Sequence, residues 1–231
     1  MSVAVLTDSH LGGPGGSGDD FVEQLRSLPA RGCRRLVLLG DIFHVWVGST
    51  KYETDEVRKI VPELRRLREQ GLRIEYVEGN RDFYIGRSPY ADAFDAVVLE
   101  TTFTVGGRRY LCVHGDGLDE RDWQYRFWRR ASKSWPIRSL VLGMPTSIAK
   151  RFVDGTEAKL AQTNQAHRGA LAEAAIRAYG GRRLGTAPGD GEADVLLLGH
   201  FHEPHEFVVE GGEIRLLDAW FHSHRVEWFE D

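Results

Sequence analysis

Five short aliphatic runs in this chain each give way to carboxylate, imidazole or amide residues. Val3 to Thr7 ends at Asp8-Ser9-His10, Arg35 to Leu39 at Gly40-Asp41, and Arg73 to Val77 at Gly79-Asn80. Arg108 to Val113 ends at His114-Gly115-Asp116, and Asp194 to Leu198 at Gly199-His200-Phe201-His202. Runs this short and this rich in β-branched and aliphatic residues read as mostly buried strands.

The segments between them set the fold class. Phe21, Val22, Leu25 and Leu28 are spaced as one face of a helix that Gly32 is placed to terminate, so the order is strand, helix, strand. Val57, Ile60, Val61, Leu64 and Leu67 repeat the pattern, with Pro62 a point where that helix is expected to kink or restart. Strands separated by Gly-Gly turns follow, Thr102 to Val105 with Arg108 to Val113, and Glu206 to Val209 with Glu213 to Leu217. From about Asp119 to Tyr179 the pattern is helical, and Gly180 to Glu192 reads as an exposed loop. The fold is therefore mixed α and β, and 231 residues suit one core with a modest insertion.

In open sheets with α/β connections the carboxyl ends of strands meet at one edge, where ligands bind. Asp8, His10, Asp41, Asn80, His114, His200 and His202 are then brought together. A lone Asp-x-His or Gly-Asp after a strand is usually a turn, and a lone histidine usually a surface residue. Five strand ends supplying such groups in order are a different matter, since chance turns would carry Ser, Thr and Gly instead. Imidazole suits Fe, Zn, Mn or Ni, and carboxylate and amide oxygens admit the harder ions. One metal does not need seven ligands, so a pair is expected, with Asp41 the natural bridge because one carboxylate offers two oxygens.

Charge and length exclude some functions. The net charge of −4 leaves no overall footprint for nucleic acid, which is not an expected partner. The run Met1 to Leu6 is too short for a signal peptide and no stretch is long enough to span a bilayer, so a cytoplasmic location is expected. Cys33 and Cys112 read as thiols in a reducing compartment, Cys112 buried. Between Arg121 and Arg151 eight basic residues, including Arg126, Arg129, Arg130, Lys133, Arg138 and Lys150, face the one acid Asp122, with Trp123, Trp128 and Trp135 interleaved. Such a segment suits an anionic membrane surface, and equally a solvated helix face with core tryptophans.

The five blocks resemble the calcineurin-like metallophosphoesterases, whose pattern is Asp-x-His, Gly-Asp, Gly-Asn-x-Asp/Glu, His and Gly-His-x-His. That resemblance spans residues 3 to 205 and implies a four-layer αββα sandwich. It also implies that Asp8, His10 and His202 hold one divalent ion and Asn80, His114 and His200 another, with Asp41 bridging. Within that group the chain resembles the UDP-2,3-diacylglucosamine pyrophosphatases of lipid A synthesis in Gly40-Asp41-Ile42-Phe43, Trp46, Gly79-Asn80-Arg81-Asp82-Phe83 and His114-Gly115-Asp116.

The closer resemblance implies a core over residues 1–118 and 193–231 with a helical cap insertion and loop over 119–192. It implies two divalent ions, Mn first and then Fe, Zn or Mg, and a nucleotide-linked glycolipid cleaved to UMP and a lipid monophosphate at the cytoplasmic face of the inner membrane. Asp41, Asn80, Arg81 and His114 would form the catalytic group. Arg81 would grip a diphosphate with two hydrogen bonds, oriented by Asp82. Asp122 and Tyr125 would lie near the glucosamine, and Leu140, Val141, Leu142, Ile148 and Phe152 would line an acyl tunnel. Gly48-Ser49-Thr50 departs from the Gly-Asp-Asp of those relatives. That departure keeps open a phosphodiesterase or phosphomonoesterase acting on nucleotides or another UDP-sugar, and a binding scaffold without chemistry stands as a third reading.

Overall fold

The computed structural model describes residues 2–118, 123–145, 171–187 and 189–231. Two five-stranded sheets form its centre. The first holds β1 (Val3–Leu6), β2 (Arg35–Leu38), β4 (Arg73–Val77) and β6 (Ala96–Val98) in parallel order, with β12 (Glu227–Phe229) antiparallel on β1. The second has the order β10 (His205–Val209), β11 (Gly212–Leu216), β9 (Val195–Leu198), β8 (Arg108–Val113) and β7 (Glu100–Val105). A two-stranded parallel pair joins β3 (Trp46–Val47) to β5 (Asp82–Phe83).

Period-two alternation sorts side chains between layers. Val3, Val5, Val37, Leu39 and Val77 point inward and meet Phe103, Tyr110, Cys112, Val195 and Leu197 of the second sheet. Ala4, Leu6, Leu36, Leu38, Ile74 and Tyr76 point the other way, onto α1 (Gly18–Ser27) and α2 (Asp55–Glu69). On the far side, Leu111, Leu196, Leu198 and Ile214 pack against Ile176 and Leu184 of α5 (Leu171–Leu184). The layers are α, β, β, α, as the resemblance implied. Cys33 and Cys112 are both buried free thiols.

Three local expectations shift. The first helix stops at Ser27, before Gly32, which serves a later turn at φ +83°. The second runs unbroken through Pro62. Pro62 and Arg58 both lie exposed, on the face of the helix where water can replace the backbone bond that proline removes. The stretch from Gly180 is not loop at its start, because α5 continues to Leu184. A Cβ at Gly180 would sit 2.2 Å from Ile214 Cδ1, so this glycine lets helix and sheet approach closely.

Register brings the strand ends level: Leu6 lies opposite Leu38, Leu38 opposite Tyr76, and Val113 opposite Leu198. Over this edge sit α3 (Trp123–Ser132) and α4 (Trp135–Gly143), tied down by Lys133 Nζ to the Gly79 carbonyl at 2.9 Å and Tyr52 Oη to the Val141 carbonyl at 2.7 Å. A short helix, α6 (Trp220–Ser223), closes the opposite flank through the amide of Trp220 to the Thr7 carbonyl at 3.0 Å. Among the described residues no helix is long and apolar enough to cross a membrane.

Candidate metal centre

All seven residues singled out at the strand ends converge. Seven described non-glycine residues have positive φ, and five of them are Asp8, His10, Asp41, His200 and His202, with φ between 45° and 68°. L residues seldom adopt this region, and strain of this kind concentrates at functional sites. Here it turns each side chain off the end of its strand into the shared edge.

One cluster is built on Asp8. Its Oδ2 accepts the His200 amide at 2.7 Å, which leaves Oδ1 facing His202 Nε2 at 3.1 Å and His10 Nε2 at 3.7 Å. The two Nε2 atoms lie 3.2 Å apart, and Phe221 packs edge-on against both imidazoles. The second cluster is built on His114. Its Nδ1 lies 2.9 Å from the Leu39 carbonyl, which takes that N–H and leaves Nε2 free to face Asn80 Oδ1 at 3.3 Å and Asp41 Oδ2 at 3.6 Å. The His200 ring stands 5.3 Å from that of His114.

Ligand atoms of Asp8, His10 and His202 lie within 4.8 Å of one another, and so do those of Asp8, Asp41 and His114. Nitrogen and oxygen donors in this mixture suit a divalent transition metal. The surrounding glycines keep the cradle open. A Cβ at Gly79 would lie 2.3 Å from Asp41 Oδ1 and 2.9 Å from His114 Nε2, and one at Gly40 would lie 2.5 Å from His114 Nδ1. The residues present therefore fit a pair of cations.

Electrostatics agree with that fit. Burial alone would raise Asp8 and Asp41, yet facing imidazoles, His114 foremost, hold both well below the usual carboxylate range. Asp41 feels both His114 and His10, one from each cluster. Burial lowers His10 and His200 to about 4, so each is a neutral donor at neutral pH. For His114 burial pulls downward, but Asp41 and Asp8 outweigh it and carry the imidazole to about 10. These two buried carboxylates are negative charge that cations would offset.

Arg81 is buried beside this edge, its Nη1 donating to the His44 carbonyl at 3.1 Å and its Nε 3.5 Å from Asp41 Oδ2. Asp82 does not orient it, contrary to expectation. Its carboxyl instead accepts the amides of Asp41 at 3.0 Å and Gly79 at 2.7 Å and the Tyr76 hydroxyl at 2.8 Å. Burial, with the charge of Asp41, pushes this carboxyl up to about 7. Tyr125 donates to Asp116 Oδ2 at 2.6 Å, where Arg129 Nε also binds at 2.5 Å. Asp122, Ile148 and Phe152 lie outside the described residues. Reading along the chain missed Phe221 and gave Asp116 only as part of the His114-Gly115-Asp116 block, without its partners Tyr125 and Arg129, because nothing in an isolated aromatic or a strand-end carboxylate says which neighbour it will meet.

Along α3 and α4 runs an open groove of about 970 Å³ that reaches Glu78 and Gly117, next in sequence to Gly79 and Asp116. Tyr84, Val97, Leu99, Trp123, Phe127 and Trp135 line it, together with Arg87, Arg126, Arg129, Arg130, Lys133 and Arg138 and the single acid Glu78. Trp123, Phe127 and Trp135 are each 69% exposed, so these tryptophans are not core.

The profile of the family described as calcineurin-like phosphoesterase matches residues 1–204. Three proteins named UDP-2,3-diacylglucosamine hydrolase are similar along most of the chain. The one from Ralstonia nicotianae is 29% identical, covering 96% of this chain and 85% of its own length. The one from Chromohalobacter salexigens is 28% identical over 91% and 85%, and the one from Sodalis glossinidius 30% over 88% and 83%. With the sandwich, the level strand ends and a match over nearly nine-tenths of its length, the chain belongs to the calcineurin-like phosphoesterase family and is a metal-dependent phosphoester hydrolase.

Proposed function

We propose that this hydrolase cleaves the diphosphate of UDP-2,3-diacylglucosamine, releasing UMP and 2,3-diacylglucosamine 1-phosphate, a step of lipid A synthesis. The reading is carried by the basic, aromatic groove, which offers cations to a diphosphate and apolar walls to acyl chains and whose Lys133 and Arg129 reach Gly79 and Asp116 at the strand ends of the cluster. The names of the similar proteins point to the same substrate.

In this reading Asp8, His10 and His202 hold one ion and Asn80, His114 and His200 the other, with Asp41 between them. A bound pair of divalent ions, Mn foremost, lowers the pKa of water and offsets charge developing on the phosphoryl oxygens. The chain's own groups do the rest. Arg81, anchored by the His44 carbonyl, aims its remaining donors at the neighbouring phosphate. Leu39 fixes the tautomer of His114. One P–O bond to water forms, the anhydride P–O bond breaks, and no covalent enzyme intermediate is needed. Residues 1–118 and 193–231 serve as the core together with α5, which packs on the second sheet, and α3 and α4 belong to the cap, with Tyr125 on its sugar side and Leu140, Val141 and Leu142 on its acyl side.

Trp123, Phe127 and Trp135 with the arginines beside them rest on an anionic lipid surface, a peripheral attachment at the cytoplasmic face of the inner membrane. Sedimentation with phosphatidylglycerol vesicles, and none with phosphatidylcholine vesicles, is the expected sign, and equal behaviour with both would remove it.

Metal-free protein reloaded with Mn, Fe, Zn or Mg and offered UDP-2,3-diacylglucosamine, UDP-N-acetylglucosamine and an aryl phosphodiester tests the reaction. Release of UMP from the lipid alone supports it. Turnover of only the soluble esters would discard the lipid and favour a phosphodiesterase on nucleotides or another UDP-sugar, the reading that Gly48-Ser49-Thr50 supports.

A further inference from the structure

Asp82 is fully buried, and its carboxyl accepts three hydrogen bonds among the described residues, two of them from the strand ends that carry Asp41 and Asn80. Its Oδ2 gathers two backbone amides that belong to different strand ends, Asp41 after β2 and Gly79 after β4. Its Oδ1 takes the Tyr76 hydroxyl from within β4. Asp41 answers in kind, its Oδ1 accepting the Arg81 amide at 2.9 Å. The two loops are thus laced together by reciprocal carboxylate-to-amide bonds at the point where the β2–β4 ladder, last paired at Leu38 and Tyr76, has ended.

Past that pairing the five-stranded sheet no longer sets how far apart the loops stand, and the next backbone tie between them is the β3–β5 pair, where Trp46 lies opposite Asp82, beyond both Asp41 and Asn80. Asp41 leaves its strand with φ 53°, and Asn80 leaves the neighbouring strand on a separate turn. A carboxyl group removed from water needs its oxygens satisfied, and here three donors from three places converge on it. Moving any of them would leave a buried oxygen unpaired, so the separation of the two loops is held stiffly.

We infer that Asp82 is a positioning residue, which sets the distance between Asp41 and Asn80 and so the ability of the site to take two ions at once. The inference rests on the two-metal reading above. It assigns Asp82 no contact with substrate or metal.

Metal-free protein titrated with Mn(II) tests it, with stoichiometry followed by calorimetry and pairing by the exchange-coupled electron paramagnetic resonance signal of adjacent ions. Wild-type protein comes first, since failure to bind a pair would remove the two-metal reading itself. Given a wild-type pair, Asp82→Ala is expected to bind the second ion about 10–100-fold more weakly, the usual effect of losing an outer partner, and to lose the coupled signal with its circular dichroism unchanged. Asp82→Asn is expected to keep the signal, because one amide oxygen can accept both backbone donors while its NH₂ faces the Tyr76 oxygen. Should Asp82→Ala fail to fold, Asp82→Ser replaces it, its shorter hydroxyl reaching at most one amide. Wild-type pairing in the Ala or Ser variant overturns the inference, and so does an Asn variant as impaired as they are.

Discussion

The Nε2 atoms of His10 and His202 face one another at 3.2 Å although the residues stand 192 positions apart in the chain. Both look onto Asp8 Oδ1, and Phe221 blocks the far side of both rings. At this distance one imidazole can donate its N–H to the other, and a shared cation would instead draw a lone pair from each, an arrangement that Asp8 Oδ1 facing both nitrogens suits. His202→Ala is therefore expected to lose the ion held with Asp8 while keeping the one at His114. Turnover should fall by at least the ~10–100-fold of an outer-partner loss. Metal content by mass spectrometry checks this, and two ions retained in the variant would refute the assignment.

Asp41→Ala should act on both ions, because this carboxylate feels imidazoles of both clusters. Paired loading is expected to vanish where His114→Ala removes one ion selectively. Two ions bound with wild-type turnover in Asp41→Ala would end the bridging role.

Gly79 tests the cradle by volume alone. Its backbone does not need a positive φ, but an added Cβ would lie 2.3 Å from Asp41 Oδ1. Gly79→Ala is expected to destabilise the fold by about 1–3 kcal/mol through overpacking and to weaken metal binding. Melting curves and metal titration read the two effects separately, and a variant with unchanged metal affinity would show that the cradle has slack.

Lys51 and Tyr52 hold the end of α4, Lys51 Nζ donating to the carbonyls of Leu142 and Met144 and Tyr52 to that of Val141. A cation at a helix C-terminus also meets the negative end of the helix dipole. Tyr52→Phe should weaken local protection of α4 by about 1 kcal/mol, one net hydrogen bond, and leave the sheets unaffected. Hydrogen exchange measures it, and unchanged rates in α4 would show that the cap is held elsewhere.

Between the sheets, Arg35 donates to Glu75 at 2.6 Å, to Thr101 at 3.0 Å and to the Thr102 carbonyl at 2.8 Å. Burial alone would raise the carboxyl of Glu75, but hydrogen bonds from Thr101 and Arg35 hold it below its ordinary 4.5. A depressed folded pKa contributes stability above the unfolded value that is lost as pH falls through the folded one. At neutral pH Glu75→Gln should be less stable by up to the ~3–5 kcal/mol of a broken buried pair. The gap in Tm between the two proteins should close on acidification below pH 4.5. A gap that stays constant into strong acid would contradict this origin.

Much of the fold was legible because its signals are local. β4 and β8 fall on the residues that alternation and aliphatic content predict, Arg73–Val77 and Arg108–Val113. The short strands Ala96–Val98 and Glu227–Phe229 were not legible, since three residues form a strand only when an edge is present to pair with. Gly180 was misread for a related reason: its use is to let Ile214 approach, and Ile214 is far away in sequence.

The sequence alone determined the kinds of donor and their order along the chain, because ligand chemistry and strand-end placement are written residue by residue. Tertiary structure decided which donors meet, at what distance, and what holds them there. Asp82 shows the difference. Its motif suggested a partner for Arg81, but the packing of β2 against β4 presented it with two amides and a hydroxyl. A buried carboxyl takes the donors that the fold brings within reach, and no local pattern specifies those in advance.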